Sequence, residues 1–459
     1  MRPGAHAQWL PPPPRGLASK RPAPSAGVIL LAWGMALALL VQAWHLKHPL
    51  LFWLRDWETP LLLSAGLGGA AAGFLRGGGA PRLLGLAFLA VAGLTVYREL
   101  EFAATRAAVL AAGPAQRAVG GHFLVGFRDF AELESLAEKG LVGGLYVTRH
   151  NLRRTPPAQL AAEIASLQER RREAGLPPLV VAADQEGGEV SHLSPWLTPR
   201  PALASLAVTR RGLTPEDQAR AYGRAQGREL ARLGINLNFG PVVDLKPERG
   251  FAADRRTLIA RRAIAADPDL VARIAGNYAA GLAEAGVGAT YKHFPGLHRL
   301  RADTHFRPAR LDLPPKALGD DWRPYEAAPA GAAVMVGHVT LAAVDGDRAA
   351  SHSPAVIAGL LRGHLGHGGL VVTDDLNMGA VYDRGIGRVA GEALAAGADL
   401  VLVSYDPDQI YRAIQGAARA LEAGAIDPDA LAASRERLGD FFERRAAAAG
   451  AAPRGAGIW

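Results

Sequence analysis

The sequence predicts an α/β protein, a (β/α)8 barrel preceded by N-terminal transmembrane helices, and three observations carry that prediction. From about His122 the chain alternates short apolar runs with segments of helical periodicity. Eight such runs occur, the number a closed parallel barrel requires. Ahead of them lies a long uncharged apolar stretch, Ala26 to Trp44, close to the roughly 20 residues a helix needs to cross about 30 Å of hydrocarbon.

Residues 1–25 are rich in Pro and basic residues, with Pro11 to Pro14 in a row, and are expected to be a flexible tail. Residues 26–97 form the expected membrane region. After Ala26 to Trp44 come two shorter, Gly/Ala-rich apolar stretches, Pro60 to Leu75 and Leu83 to Val96, giving one to three spans. Three spans would put the tail and the loop Arg76 to Arg82 on the side richer in basic residues. The positive-inside tendency then predicts anchoring in the inner or cytoplasmic membrane with the C-terminal region outside the cytoplasm. A cleaved signal peptide is the simpler alternative, but no Ala-x-Ala site follows Trp44.

The barrel is expected over residues 115–446, with 447–459 as a tail. Its eight runs are Phe123–Gly126, Gly144–Thr148, Leu179–Asp184, Ile235–Asp244, Val287–His293, Ala333–Thr340, Gly369–Asp374 and Ala398–Ser404. Between them lie amphipathic stretches such as 157–174, 215–233, 268–285, 354–365 and 386–396, several with Pro at the first turn, where its missing N–H costs nothing. An open doubly wound sheet is the competing arrangement. No Gly-x-Gly-x-x-Gly turn follows the first run, which argues against a dinucleotide site.

Composition narrows the function. At 459 residues, 49% hydrophobic and 20% charged, the chain can bury a large core, which excludes a disordered protein. Cysteine is absent, so thiolate nucleophiles, disulfides and cysteine zinc sites are excluded together. The net charge of +8 is scattered among acids, without an aromatic-studded basic stripe, so no nucleic-acid partner is expected.

In a barrel the chemistry gathers at the C-terminal ends of the strands. Here the third run ends in Asp184-Gln185-Glu186-Gly187-Gly188, the fifth in Lys292-His293-Phe294-Pro295-Gly296, the sixth in Gly337-His338 and the seventh in Thr373-Asp374-Asp375. Acids, histidines and a lysine on four strand ends suit a polyhydroxylated ligand, which exchanges many hydrogen bonds. The histidines and acids lie on different strands without His-x-x-x-His spacing, so neither a metal nor a cofactor is expected.

Four of these segments, from about Gly121 to Glu443, resemble the family 3 glycoside hydrolases, and among them the β-N-acetylhexosaminidase branch. Lys292-His293-Phe294-Pro295-Gly296 followed by Asp303-Thr304-His305 resembles the signature that carries an Asp-x-His pair on a mobile loop after strand five. Val372-Thr373-Asp374-Asp375-Leu376-Asn377-Met378-Gly379 is similar to the nucleophile strand. Ala183 to Gly188 and Gly234 to Asp244 are similar to the third- and fourth-strand segments. The resemblance implies a retaining exo-hydrolase of terminal β-linked N-acetylglucosamine, plausibly acting on cell-wall fragments. Asp374 would be the nucleophile and the Asp303/His305 pair the acid/base, while Asp184, Arg262, Lys292, His293 and His192 would bind the sugar. Partners are then a carbohydrate and the lipid bilayer.

Two departures stand out. The family usually continues Lys-His-Phe-Pro-Gly with His-Gly, whereas this chain has Leu297 and His298; and Glu189 and His192 stand where basic residues are common. Taken alone, Asp374 is as readily a helix cap, Asp303 and His305 a surface pair, and His293 or His338 packed core histidines. Three functions stay open: the hexosaminidase, a β-glucosidase-like hydrolase or phosphorylase of the same fold, and a non-catalytic carbohydrate-binding protein on a membrane.

Overall fold

The computed structural model describes residues 25–210, 212–248 and 254–448. The expected tails, apart from Ser25 and residues 447–448, lie outside these. The chain forms two compact units, one comprising the residues up to Lys47 with Trp53–Glu99, the other His48–Phe52 with everything from Leu100.

The first unit is helical. Helix α1 spans Ala26–Trp44, α2 Arg55–Arg76, and α3 begins at Gly79 and runs through to Leu110 in the second unit. Each of the three expected apolar stretches lies in one of these helices, but only α1 and α3 are long and apolar enough to cross a membrane. Helix α2 opens on Arg55, Asp56 and Glu58 and is diluted by Gly and Ala, which lowers its apolarity. Its glycines serve packing instead: a Cβ on Gly73 would come 2.6 Å from Gly85 Cα, so the two backbones touch. Leu30, Leu31 and Leu75 stay exposed on the outside of the bundle.

The second unit is an eight-stranded, sequentially ordered parallel sheet. Its strands are β1 Phe123–Gly126, β2 Gly144–Tyr146, β3 Val180–Ala183, β4 Leu237–Asn238, β5 Gly288–Phe294, β6 Ala333–Val336, β7 Val371–Thr373 and β8 Val401–Val403. β1 pairs with both β2 and β8, and the bridge Val372–Leu400 brings β7 to β8, closing the barrel. Each strand falls in one of the eight predicted runs, β5 reaching one residue past its run to Phe294. β4 is far shorter than its run because the Gly240 amide turns back onto the Asn238 carbonyl at 2.9 Å; the Gly240 carbonyl then accepts the Thr290 amide at 2.9 Å, and a bridge forms again at Val242, opposite Lys292.

Between strands the chain returns through helices, among them α4 Phe130–Glu138, α5 Pro157–Glu173, α6 Pro215–Arg232, α7 Pro268–Ala283, α8 Gly319–Glu326 and α9 Ile386–Ala395. The predicted prolines sit in the first turn of α5, α6 and α7. Thr214 caps α6 by accepting the Asp217 amide at 3.1 Å, and Asp267 caps α7 through the Asp269 amide at 3.0 Å. The predicted helix at 354–365 is wound as a π-helix over Ala355–His364.

Two apolar layers result. One lies between sheet and helices. The other fills the barrel's interior with Leu124, Val180, Leu237, Met335, Val372 and Leu402, and is plugged from below by Leu438 and Phe441 of the C-terminal helix α10, Pro428–Ala448. The N-terminal end is thereby packed shut, which leaves the C-terminal mouth for polar groups.

Candidate active site

Asp184 follows β3 directly, and its carboxylate accepts the Tyr146 hydroxyl at 2.6 Å on one oxygen and the Lys292 ammonium on the other. Lys292 Nζ also lies 2.6 Å from Glu186 Oε1. Arg262 closes the group as a two-pronged clamp on Glu186, with Nε at 3.0 Å and Nη2 at 2.7 Å. Two acids and two cations are thus drawn together, Glu186 and Lys292 buried and Asp184 and Arg262 partly so, and each satisfies the other's charge. Burial by itself pushes the Asp184 carboxyl up, but Lys292, His192 and the Tyr146 hydroxyl outweigh it and bring it down to about 2. Burial opposes the Lys292 charge too, and the two carboxylates overcome it.

His293 packs beside this cluster. Its Nδ1 is 2.7 Å from Asp244 Oδ2, its backbone amide donates to the same oxygen at 3.1 Å, and its Nε2 is 3.5 Å from Arg262 Nη2. His192 lies 3.3 Å from the Tyr146 hydroxyl through Nδ1, and burial holds its imidazole below the ordinary histidine value. The predicted ligand-binding residues Asp184, Arg262, Lys292, His293 and His192 therefore share one end of the barrel. Glu189 pairs outward with Arg261 at 2.9 Å.

The adjacent acids after β7 are divided in use. Asp375 is consumed by structure: it accepts the Ser404 hydroxyl at 2.6 Å and the amides of Tyr405, Asn377 and Ser404 at 2.8, 3.0 and 3.2 Å. Asp374 accepts the amide of Asp375 at 2.9 Å, and no other described residue donates a hydrogen bond to it. Burial raises its carboxyl, yet the imidazoles of His338, His293 and His305 together hold it below the ordinary value. His338 uses both ring nitrogens internally, Nδ1 on Ser351 Oγ at 2.7 Å and Nε2 on the Asp375 carbonyl at 2.9 Å. It is a packed histidine.

Asp303 and His305 stand on the loop after β5. His305 Nδ1 is 2.9 Å from Asp303 Oδ1, and the ring is a third exposed while Asp303 is buried. Asp303 feels a raising effect from burial, but hydrogen bonds from His305 and neighbouring amides keep it firmly ionised. At the start of this loop the Leu297 amide donates to Asp244 Oδ1 at 2.7 Å, and His298 Nδ1 lies 2.7 Å from Asp321 Oδ1.

Residues 117–440 match the model of the glycosyl hydrolase family 3 N-terminal domain. The chain belongs to glycosyl hydrolase family 3. It is a glycoside hydrolase. It is 34% identical over 329 residues to the β-hexosaminidase LpqI of Mycobacterium tuberculosis, covering 69% of this chain and 79% of the relative. A β-hexosaminidase of Xanthomonas campestris is 35% identical over 310 residues, 64% of this chain and 86% of its own. Among solved structures, a family 3 β-N-acetylglucosaminidase from Paenibacillus superposes with a TM-score of 0.65 at 34% identity, covering 74% of this chain and 64% of that one. A family 3 member from Mycobacterium smegmatis gives 0.63 at 33%, covering 72% and 98%.

Glu186, Asp244 and Tyr146 were not among the predicted site residues. Glu186 and Asp244 lie inside the motifs but bond to other protein groups, and the signal that could have found them is their position at strand ends beside Asp184 and His293. Among the described residues no cluster of three or more His, Asp or Glu could hold a metal ion.

Proposed function

We propose that this protein is a membrane-anchored, retaining exo-β-N-acetylhexosaminidase that removes terminal β-linked N-acetylglucosamine, with Asp374 as nucleophile and the Asp303/His305 pair as acid/base. The observation that carries this reading is the division of labour at the mouth. One carboxylate, Asp374, is kept ionised and almost unbonded, while a partly exposed imidazole is oriented by a second, buried carboxylate.

A retaining hydrolase needs one group to attack the anomeric carbon and another to protonate the departing oxygen. Asp374 would form the bond to the anomeric carbon as the glycosidic C–O bond breaks. His305, holding a proton on Nδ1 against Asp303, would give its Nε2 proton to the leaving oxygen. In the second half the neutral Nε2 would take a proton from water as that water displaces Asp374. The buried set Asp184, Lys292, Arg262 and His293 offers charged donors and acceptors for the sugar hydroxyls.

Anchoring rests on α1 and α3, both long and apolar enough to cross a membrane. Two crossings alone would return the barrel to the side of the basic tail; if α2 crosses with them and the tail lies inside, the barrel would face away from the cytoplasm, where cell-wall fragments supply N-acetylglucosamine. The test is hydrolysis of aryl β-N-acetylglucosaminide and aryl β-glucoside by the detergent-solubilised full chain beside Asp374→Ala. Turnover of the first substrate by wild type alone supports the reading; preference for the glucoside, or no turnover, removes it.

A further inference from the structure

The pair Asp303 and His305 lies on a loop, yet its geometry is tight, and what holds it comes from the connection after β4. The amides of Arg255 and Arg256 donate to Asp303 Oδ2 at 3.0 and 2.9 Å. The Thr257 hydroxyl donates to Oδ1 at 2.9 Å, the same oxygen that takes His305 Nδ1. Thr257 is itself buried. Its turn is fixed in two ways: Asp254 accepts the Leu258 amide at 2.7 Å, and the Thr257 carbonyl accepts Arg262 Nη1 at 2.7 Å. Arg262 holds Glu186 with its other nitrogens, so one guanidinium joins the buried charge cluster to the turn that grips Asp303.

We infer that Thr257 is a positioning residue for the reaction, fixing the direction of the Asp303 carboxylate and, through it, the tautomer and aim of the His305 ring. The inference rests on the reading of His305 as the group that protonates the leaving oxygen. A hydroxyl has one proton to give. Thr257 gives it to Asp303 Oδ1, so at 3.4 Å from His305 Nδ1 it faces that nitrogen with lone pairs only. A proton on Nδ1 is therefore favoured by two acceptors, and Nε2 is left to face the substrate. Without the hydroxyl, Asp303 keeps its two amides on Oδ2 and the His305 amide on Oδ1 at 3.0 Å, but Oδ1 is then held only from its own loop, so that carboxylate and ring can swing together out of aim.

This role predicts a particular failure. A mis-aimed acid matters little when the leaving group departs unaided and greatly when it needs a proton. The experiment compares full-length wild type, Thr257→Val, Thr257→Ser and His305→Ala on aryl β-N-acetylglucosaminides whose phenols range from strongly to weakly acidic. For Thr257→Val we expect kcat/KM within about threefold of wild type on the most activated phenol, and a loss of about tenfold or more on the least activated, a fraction of the 10²–10⁴ that a general acid supplies. Thr257→Ser restores the wild-type slope, and His305→Ala shows a steeper one. A loss equal across all leaving groups, or no loss, overturns the inference while leaving the glycosidase reading intact. Wild type inactive on every member overturns both.

Discussion

Replacing Glu186 by Gln preserves the side chain's shape and removes the charge that two buried cations share. Side-chain exposure is 5% for Glu186, 8% for Arg262 and 3% for Lys292, so water cannot replace the lost partner. Breaking a buried ion pair by removing one member costs about 3–5 kcal/mol. Gln keeps an acceptor oxygen and Asp184 still neutralises Lys292, which places the loss near the lower end, about 3 kcal/mol. At about 2 °C per kcal/mol for a domain of this size, Tm should fall by about 6 °C at pH 7. The pH dependence adds a second signature. Burial raises the Glu186 carboxyl, but Arg262 and Lys292 together hold it below its ordinary 4.5. An acid lowered on folding contributes stability that is present above its unfolded value and lost as pH falls through its folded value. The gap between wild type and Glu186→Gln should therefore be full above about pH 5 and shrink below 4.5. Differential scanning calorimetry from pH 7 to pH 3 measures it. Equal Tm at pH 7, or a gap that stays constant down to pH 3, refutes the reasoning.

The adjacent acids should separate cleanly. Asp374→Asn is expected to abolish hydrolysis with Tm almost unchanged, whereas Asp375→Asn, which weakens bonds to Ser404, Tyr405 and Asn377, should cost about 2 kcal/mol of stability in chemical denaturation. Gly379 lies where a Cβ would meet the Phe306 carbonyl at 2.5 Å, and its amide donates to the His305 carbonyl at 2.9 Å. Gly379→Ala should therefore displace the Asp303 loop, lowering kcat about tenfold or more, as misplaced catalytic groups do, with a stability loss of about 1–3 kcal/mol. Because Asp374 titrates below its ordinary 3.8, kcat/KM should show no acid limb until below about pH 4; a midpoint near pH 5 or above would assign the nucleophile's role elsewhere.

Most of the fold was legible because period and punctuation are local. Short apolar runs separated by Pro-initiated helices mark each strand and each return, and all eight strands fall where those runs lie. Where local pattern misled, a specific residue is responsible. The turn of the Gly240 amide onto the Asn238 carbonyl ends β4 at Leu237–Asn238, and the charged opening of α2 leaves it less apolar than the flanking helices. The site divides the same way. Asp374, His305 and Lys292 stand in motifs, so their positions could be named from sequence. Thr257 could not: its partner Asp303 is 46 residues away, and nothing in Arg255-Arg256-Thr257 signals that two amides and a hydroxyl converge on one carboxylate. His338 shows the converse, a strand-end histidine at the mouth whose ring is fully engaged by Ser351 and the Asp375 carbonyl.

The central claim is that Asp374 attacks the anomeric carbon, so that the sugar is inverted twice. Following hydrolysis of an aryl β-N-acetylglucosaminide by proton NMR, from the first turnover and before mutarotation, tests it directly. Retention predicts that the β-anomer of N-acetylglucosamine appears first and the α-anomer grows in later at the spontaneous rate. Initial appearance of the α-anomer would mean that water attacks in one step, and Asp374 would then be a base rather than a nucleophile.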